Sequence, residues 1–263
     1  MSEGRGGRLD GEVAIVTGST SGLGKEIATL FAEEGCRVVV TGRDPDRGAQ
    51  VERSIAARGG QARFLPADLE DEAQCRELAR QARQAFGPVT VLVNNAVAST
   101  ADFRDGPVTE VSAQAFAATL RTDLVAPATM CRLVIPQMLE AGHGSIVNVS
   151  SRAAERATPK LAAYTAAKGG LNALTRSITI DFARHGVRAN TLQPGYVIHE
   201  RRDASMSPEE RLARQSMHLT RLATARDVAY AALFLASRES EVVAGITLRV
   251  DGGSSAARGR VLG

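Results

Sequence analysis

Cysteine is scarce in this chain, and the three present, Cys36, Cys75 and Cys131, sit in unrelated contexts. An odd number, with no CxxC and no Cys/His ligand spacing, argues against both a disulfide framework and a zinc site. Each reads as a small apolar core residue. Aromatic residues are only 4% of the chain, too few for a base-stacking platform. Charge of one sign is also missing. The 32 Lys and Arg are interspersed with 29 Asp and Glu, leaving a formal +3 and no basic stripe for nucleic acid. No apolar run is long enough to span a bilayer. The opening MSEGRGGRLDGE lacks the apolar core of a secretion signal. The expectation is a cytoplasmic protein with neither a nucleic-acid nor a membrane partner.

What is present is ordinary globular composition, 44% hydrophobic and 23% charged over 263 residues, enough chain for one large α/β domain over 1–263. Apolar runs rich in β-branched residues recur at 13–18, 37–41, 62–66, 89–95, 145–150, 187–192 and 246–250. The first four and the fifth read as continuous runs, expected of strands buried on both faces of a parallel sheet. Between them lie helical patterns, for instance Leu23, Ile27, Leu30 and Phe31, then Cys75, Leu78, Ala79 and Ala82. Gly35 and Gly87 are placed as helix stops. This alternation predicts a Rossmann-type doubly wound α/β sheet of about seven parallel strands flanked by helices. A less regular stretch, 196–220, follows the sixth strand and reads as a substrate lid or loop within that domain.

Two short motifs carry chemistry. VAIVTGSTSGLGKEIA reads as strand, glycine-rich turn and helix, with Gly18, Gly22 and Gly24 spaced GxxxGxG. Small residues there let backbone approach a pyrophosphate, and the helix start offers unpaired N–H donors. In YTAAK, Tyr164 and Lys168 stand one turn apart on one helix face, so an ammonium can sit beside a phenol.

Taken in order, these motifs resemble the short-chain dehydrogenase/reductase family, in particular its 3-oxoacyl-reductase-like members, over almost the whole chain. TGSTSGLG resembles the family's cofactor loop, Asp68 in PADLED its adenine-contacting acid, and NNA at 94–96 the end of its fourth strand. SIVNVSS resembles the strand that ends in its active Ser, YTAAK its YxxxK signature, QPG its PG turn and VDGG its tail. The family places that Ser thirteen residues before the Tyr, which selects Ser151 over Ser150.

The resemblance implies a catalytic set of Ser151, Tyr164 and Lys168, with Asp123 as a further candidate. It also implies a cofactor site of Gly18, Ser19, Thr20, Ser21, Gly22, Leu23, Gly24, Arg43, Asp68, Leu69, Asn95, Ala96, Tyr164, Lys168, Pro194, Gly195 and Val197. Tyr164 exchanges a proton with a carbonyl or alcohol oxygen, its pKa lowered by Lys168 and by oxidised nicotinamide. Ser151 fixes that oxygen, and Lys168 also holds the nicotinamide ribose. The expected substrate is a small carbonyl compound or alcohol. In VVVTGRD, Gly42 occupies the usual acid position and Arg43 follows, which favours NADP(H), with NAD(H) the alternative. Asp44 before Pro45 reads as a helix cap.

Two departures qualify the match. Val97 replaces a Gly, adding bulk where positive φ is costly. Asp123 stands where the family has an Asn. Ionised, it favours the Lys168 ammonium and opposes the Tyr164 phenolate; alternatively it only caps a helix irregularity near Pro127. These departures motivate the alternative of a catalytically silent cofactor-binding regulator or scaffold. Of the histidines, His143 and His185 read as structural, while His199 and His218 are placed in or beside the lid, within reach of substrate. Arg201 and Arg202 read as a solvated face. Small residues crowd the YTAAK helix (Ala162, Ala163, Ala166, Ala167, Gly169, Gly170), and by resemblance a homotetramer is expected, with a homodimer next.

Overall fold

A computed structural model describes residues 6–98, 105–198 and 203–256. Seven parallel strands form one sheet: β1 (Val13–Val16), β2 (Arg37–Gly42), β3 (Gln61–Pro66), β4 (Val91–Asn94), β5 (Gly144–Val149), β6 (Val187–Pro194) and β7 (Thr247–Val250). Their spatial order is β3-β2-β1-β4-β5-β6-β7. The helices are α1 (Gly22–Glu33), α2 (Pro45–Ala56), α3 (Glu72–Phe86), α4 (Ala113–Leu120), α5 (Ala126–Ala141), α6 (Ala162–Phe182), α7 (Pro208–Gln215) and α8 (Ala225–Ala236). A π-helical turn, Arg121–Val125, joins α4 to α5. The doubly wound sheet is thus present as expected.

Strand alternation divides the core between the two faces of the sheet. Ala14, Val16, Val38, Val40, Val91 and Val93 pack with α1 and α8, around Phe31 and Leu233. Val13, Ile15, Val39, Leu92 and Ile146 pack with α3 and α5, around Leu78 and Met138. A side chain such as Phe31, fully buried, contributes about 1.5–3 kcal/mol relative to leaving it exposed. The expectation of burial on both faces fails for β3, where only Leu65 is buried and the other positions are exposed or part-buried. It is an edge strand, covered by α2 and open to solvent on its outer side.

Local chemistry explains the helix ends. Asp44 accepts from Arg47 N at 3.1 Å and caps α2 behind Pro45, as read from the sequence. Gly35 and Gly87 have φ of 85° and 95°, a region only glycine enters cheaply. All three cysteines are buried and free. Burial pushes the Cys75 thiol up to about 11 and Cys131 up to about 12, which makes both poor nucleophiles at neutral pH. Among the described residues no helix is long and apolar enough to cross a membrane, and no His, Cys, Asp and Glu cluster could hold a metal ion.

Winding outward from β1 in one direction and from β4 in the other opens a crevice beyond the carboxyl ends of those two strands. The loops leaving β1, β2, β3, β4, β5 and β6 all converge there.

Candidate active site

Those loops enclose a cleft of about 760 Å³. Gly18, Thr20, Ser21, Gly22, Leu23 and Gly24 line it after β1, Arg43 after β2, and Asp68 and Leu69 after β3. Asn95, Ala96 and Val97 follow β4, Ser150 and Ser151 follow β5, and Pro194, Gly195 and Val197 end or follow β6; Tyr164 closes the wall from α6. Residues far apart in sequence therefore share one surface.

The glycine turn is held by contacts inside the protein. Gly18 and Gly22 have φ of 63° and 53°. A Cβ on Gly18 would lie 2.9 Å from Ala96 Cα, and one on Gly24 would lie 2.4 Å from Asn95 Nδ2. Thr17, absent from the expected set, is the hub. Its Oγ1 accepts from Asn95 N (2.8 Å) and Ala96 N (3.0 Å) and donates to Val93 O (3.2 Å). Asn95 Nδ2 donates to Thr17 O at 2.9 Å, closing the link between the β1 and β4 loops. The TG of TGxxxGxG was the available signal for Thr17.

Ser19 does not reach the cleft. Its Oγ donates to Val16 O (2.6 Å) and accepts from Thr41 N (2.9 Å), so this fully buried hydroxyl ties the turn to β2. By contrast α1 opens on the cleft with no side-chain cap and no acid in its first turn. Five other helices, α2, α3, α4, α7 and α8, carry a side-chain cap. Bare N–H donors at the positive end of a helix suit an anionic phosphate group. Arg43 is exposed at the cleft edge, and among the described residues it has no hydrogen-bond or ion-pair partner.

At the other end of the cleft, the Ser151 hydroxyl lies beside the Tyr164 phenol, close enough to favour its ionised form, and accepts from Ala153 N at 3.1 Å. Ser150 is turned away, its Oγ donating to Lys168 O at 3.4 Å. Lys168 lies behind the phenol rather than on the cleft wall. It is 1% exposed, its Nζ is 5.6 Å from the Tyr164 ring centroid, and it donates to Val149 O at 3.2 Å. Burial pushes its pKa down while Asp123 pushes it up, and burial prevails.

Asp123 sits in the π-helical turn, 1% exposed. It caps no helix. Its Oδ1 accepts from Ala98 N at 2.8 Å, and its Oδ2 is buried without a hydrogen-bond partner. Burial raises its pKa, with the Lys168 charge opposing. The consequence reaches Tyr164, whose pKa stands above the ordinary phenol value. Burial is the main cause, the Ser151 hydroxyl works against it, and the Asp123 charge adds to it. The chain's own groups thus push the phenol pKa up, while the lowering expected from the sequence joins Lys168 to a bound oxidised nicotinamide.

Exchanging Asp123 for Asn removes the negative charge that opposes the phenolate. The alkaline limb of alcohol oxidation, which follows phenol ionisation, should move to lower pH in Asp123→Asn. A pH–rate profile superimposable on that of the unaltered protein would refute the coupling.

Val97 needs no left-handed backbone and stands half exposed at the cleft mouth, so its bulk is accommodated without strain. From the 196–220 stretch, only Tyr196 and Val197 line the cleft among the described residues. The Tyr196 hydroxyl donates to Asp203 at 2.7 Å, and its ring lies 4.3 Å beneath the Arg214 guanidinium of α7. His218 is directed inward, with Nδ1 2.8 Å from Arg214 O, and does not line the cleft. His143 pairs with Glu12 at 3.1 Å, and His185 ends a short turn after α6. His199, Arg201 and Arg202 lie outside the described residues.

Known proteins resemble this chain in sequence and fold. A family model described as enoyl-(acyl carrier protein) reductase matches residues 18–255. An NADP-dependent (R)-specific alcohol dehydrogenase of Lentilactobacillus kefiri is 37% identical over 95% of this chain and 98% of its own. A gluconate 5-dehydrogenase from Burkholderia cenocepacia, solved with NADP and tartrate, superposes with a TM-score of 0.88 at 32% identity, covering 95% of this chain and 97% of that one. A 7α-hydroxysteroid dehydrogenase solved with NADH and 7-oxo glycochenodeoxycholic acid gives 0.87 at 32% identity, covering 94% and 95%. Agreement of this extent, in fold and in sequence, means that the chain belongs to the short-chain dehydrogenase/reductase family.

Proposed function

We propose that this protein interconverts a ketone and a secondary alcohol with NADP(H), Tyr164 serving as the proton donor and acceptor. One observation carries the reading: a buried phenol, beside the Ser151 hydroxyl and backed by Lys168 Nζ 5.6 Å from its ring centroid, closes the wall of the cleft that begins at the glycine turn.

The cleft fits a dinucleotide. The uncapped start of α1 and the Gly18–Gly24 turn would hold the pyrophosphate, Asp68 and Leu69 the adenine, and Asn95, Ala96, Pro194, Gly195 and Val197 the nicotinamide half. Bound there, the nicotinamide supplies or accepts hydride. The chain's own residues do the rest. Ser151 donates a hydrogen bond to the substrate oxygen and fixes its position. Tyr164, neutral at rest, gives its proton to that oxygen during reduction and takes one back during oxidation. Lys168 keeps a positive charge behind the ring and favours the phenolate once formed. Residues 196–220 act as the lid of this single catalytic unit.

Arg43 supports the choice of NADP(H), as a free guanidinium at the position suited to a 2′-phosphate. Its neighbour Gly42 supports it too. A Cβ at 42 would lie 2.8 Å from Thr20 Cγ2, so a ribose-binding carboxylate there would displace Thr20. Arg43→Ala should lower the NADPH-over-NADH ratio of kcat/KM about tenfold, as expected for loss of one charge-assisted phosphate contact. Comparable efficiency with both cofactors in the unaltered protein would refute the preference.

Steady-state NADPH oxidation with a panel of β-keto esters, diketones, sugar acids and steroid ketones tests the reaction itself. An enoyl thioester belongs in the panel because of the family model's description. Turnover of that compound alone would replace ketone reduction by alkene reduction. NADPH binding with no turnover on any compound would favour the silent regulator, to which the raised Tyr164 pKa lends some support. A homotetramer, or else a homodimer, is the proposed assembly. Gly170 itself packs inside the chain, where a Cβ would meet Leu124 at 2.8 Å.

A further inference from the structure

The helix that carries Tyr164 and Lys168 begins without a cap of its own. Leu161 precedes α6 and offers no side-chain acceptor, and Lys160 before it has φ of 63°, the only positive φ outside glycine among the described residues. The first turn of a helix nevertheless exposes N–H groups that must find acceptors. Here they find them on a segment 58 residues earlier in the sequence. Ala162 N donates to Gly106 O at 3.2 Å, Ala163 N to Asp105 Oδ1 at 3.1 Å, and Tyr164 N to Asp105 Oδ2 at 2.9 Å. Only from Thr165 N, which donates to Leu161 O at 2.9 Å, does α6 satisfy itself. Gly106 N also donates to Asp105 Oδ1, at 2.8 Å, which fixes the carboxylate.

We propose that Asp105 is a positioning residue for catalysis, a carboxylate borrowed from the segment before α4 that seats the first turn of α6 and so holds the Tyr164 phenol against Ser151. This rests on Tyr164 being the acid/base group. Three features make the role more than general stability. One carboxylate takes both Ala163 and Tyr164, so the backbone of the reacting residue is itself a ligand. The carboxylate lies at the positive end of the helix dipole, where it is favoured electrostatically. Side chains at a helix start lean back over the preceding turn, so a shift of the first turn moves the phenol directly. Ser151 is held separately, by β5 and by its bond to Ala153 N, and does not follow such a shift.

The composition supplies a readout that needs no substrate. The chain has no tryptophan and three tyrosines, Tyr164, Tyr196 and Tyr230. Tyrosinate absorbance near 295 nm therefore reports three groups, and the Tyr164→Phe protein identifies which transition belongs to Tyr164. Among the described residues the groups facing the phenol are Ser151, Asp123 and Lys168, none altered by a change at Asp105. The Asp105 charge itself lies at the backbone N of Tyr164. Its loss alone would move the transition to lower pH, opposite to the shift expected from displacement.

In Asp105→Ala the Tyr164 transition should move to higher pH, because the phenol moves away from the Ser151 hydroxyl that favours phenolate. With any ketone that the protein reduces, kcat should fall at least tenfold while the NADPH dissociation constant stays within twofold. Asp105→Asn, which keeps one acceptor oxygen and the side-chain shape, should lie between and serves if the Ala protein does not fold. A Tyr164 transition and kcat unchanged in both variants, even with a lower Tm, would overturn the positioning role. So would a transition moved to lower pH. Undiminished turnover by Tyr164→Phe would instead overturn the acid/base reading, whatever the Asp105 variants do.

Discussion

Tyr164→Phe should reduce kcat about 10²- to 10⁴-fold, the usual share of a positioned proton donor, while leaving NADPH affinity nearly unchanged. The substitution removes one oxygen. The ring keeps its place on α6, and the turn that would hold the pyrophosphate lies on β1 and α1, separate elements. What is lost is specific to the transition state: the proton that must reach the substrate oxygen. A fall in kcat without a rise in KM is the signature of such a group. NADPH oxidation at 340 nm and NADPH fluorescence titration separate the two quantities. Loss of cofactor binding in step with kcat would mean that the ring holds the cofactor and that proton transfer belongs elsewhere.

The second large effect is expected at Lys168. Lys168→Met keeps most of the buried stem and removes the charge. At neutral pH an ordinary phenol with pKa ~10 is only about 0.1% ionised, and here burial and Asp123 already push it higher. Without the ammonium, alcohol oxidation should lose about 10²-fold at neutral pH, as the phenolate loses the cation behind its ring. The alkaline limb should move up in Lys168→Met, opposite to its shift in Asp123→Asn. The pair thus tests one electrostatic triad from both sides. Retention of activity within threefold in Lys168→Met would show that the charge behind the ring does not assist ionisation.

Much of the site was legible in linear form because the family signature records short-range necessities. A turn leading from a buried strand into a helix needs glycine at Gly18 and Gly22, and their left-handed backbone bears this out. Tyr164 and Lys168 share a helix face by spacing alone. Other features had no local signature. Ser19 belongs to the glycine turn by position, yet it faces β2 because the turn must be tied there. Asp123 reads from the sequence either as favouring the Lys168 ammonium or as a helix cap. Its charge does act on Lys168, but the contact of its carboxylate with Ala98 N had no signature in the sequence. His218 was placed within reach of substrate and instead turns inward, its Nδ1 against Arg214 O. Direct neighbours in space, such as Asp105 and Tyr164, are strangers in sequence.

By itself the order of residues determined the seven strands, the parallel sheet and the set of motifs at its carboxyl edge. Apolar periodicity, glycine φ freedom and helix stops are properties of a few consecutive residues. Tertiary structure alone decided which face Ser19 and His218 present, that β3 lies exposed at the edge, and that burial pushes the Tyr164 phenol pKa up. Burial and the field of a distant carboxylate act through space, and folding sets both.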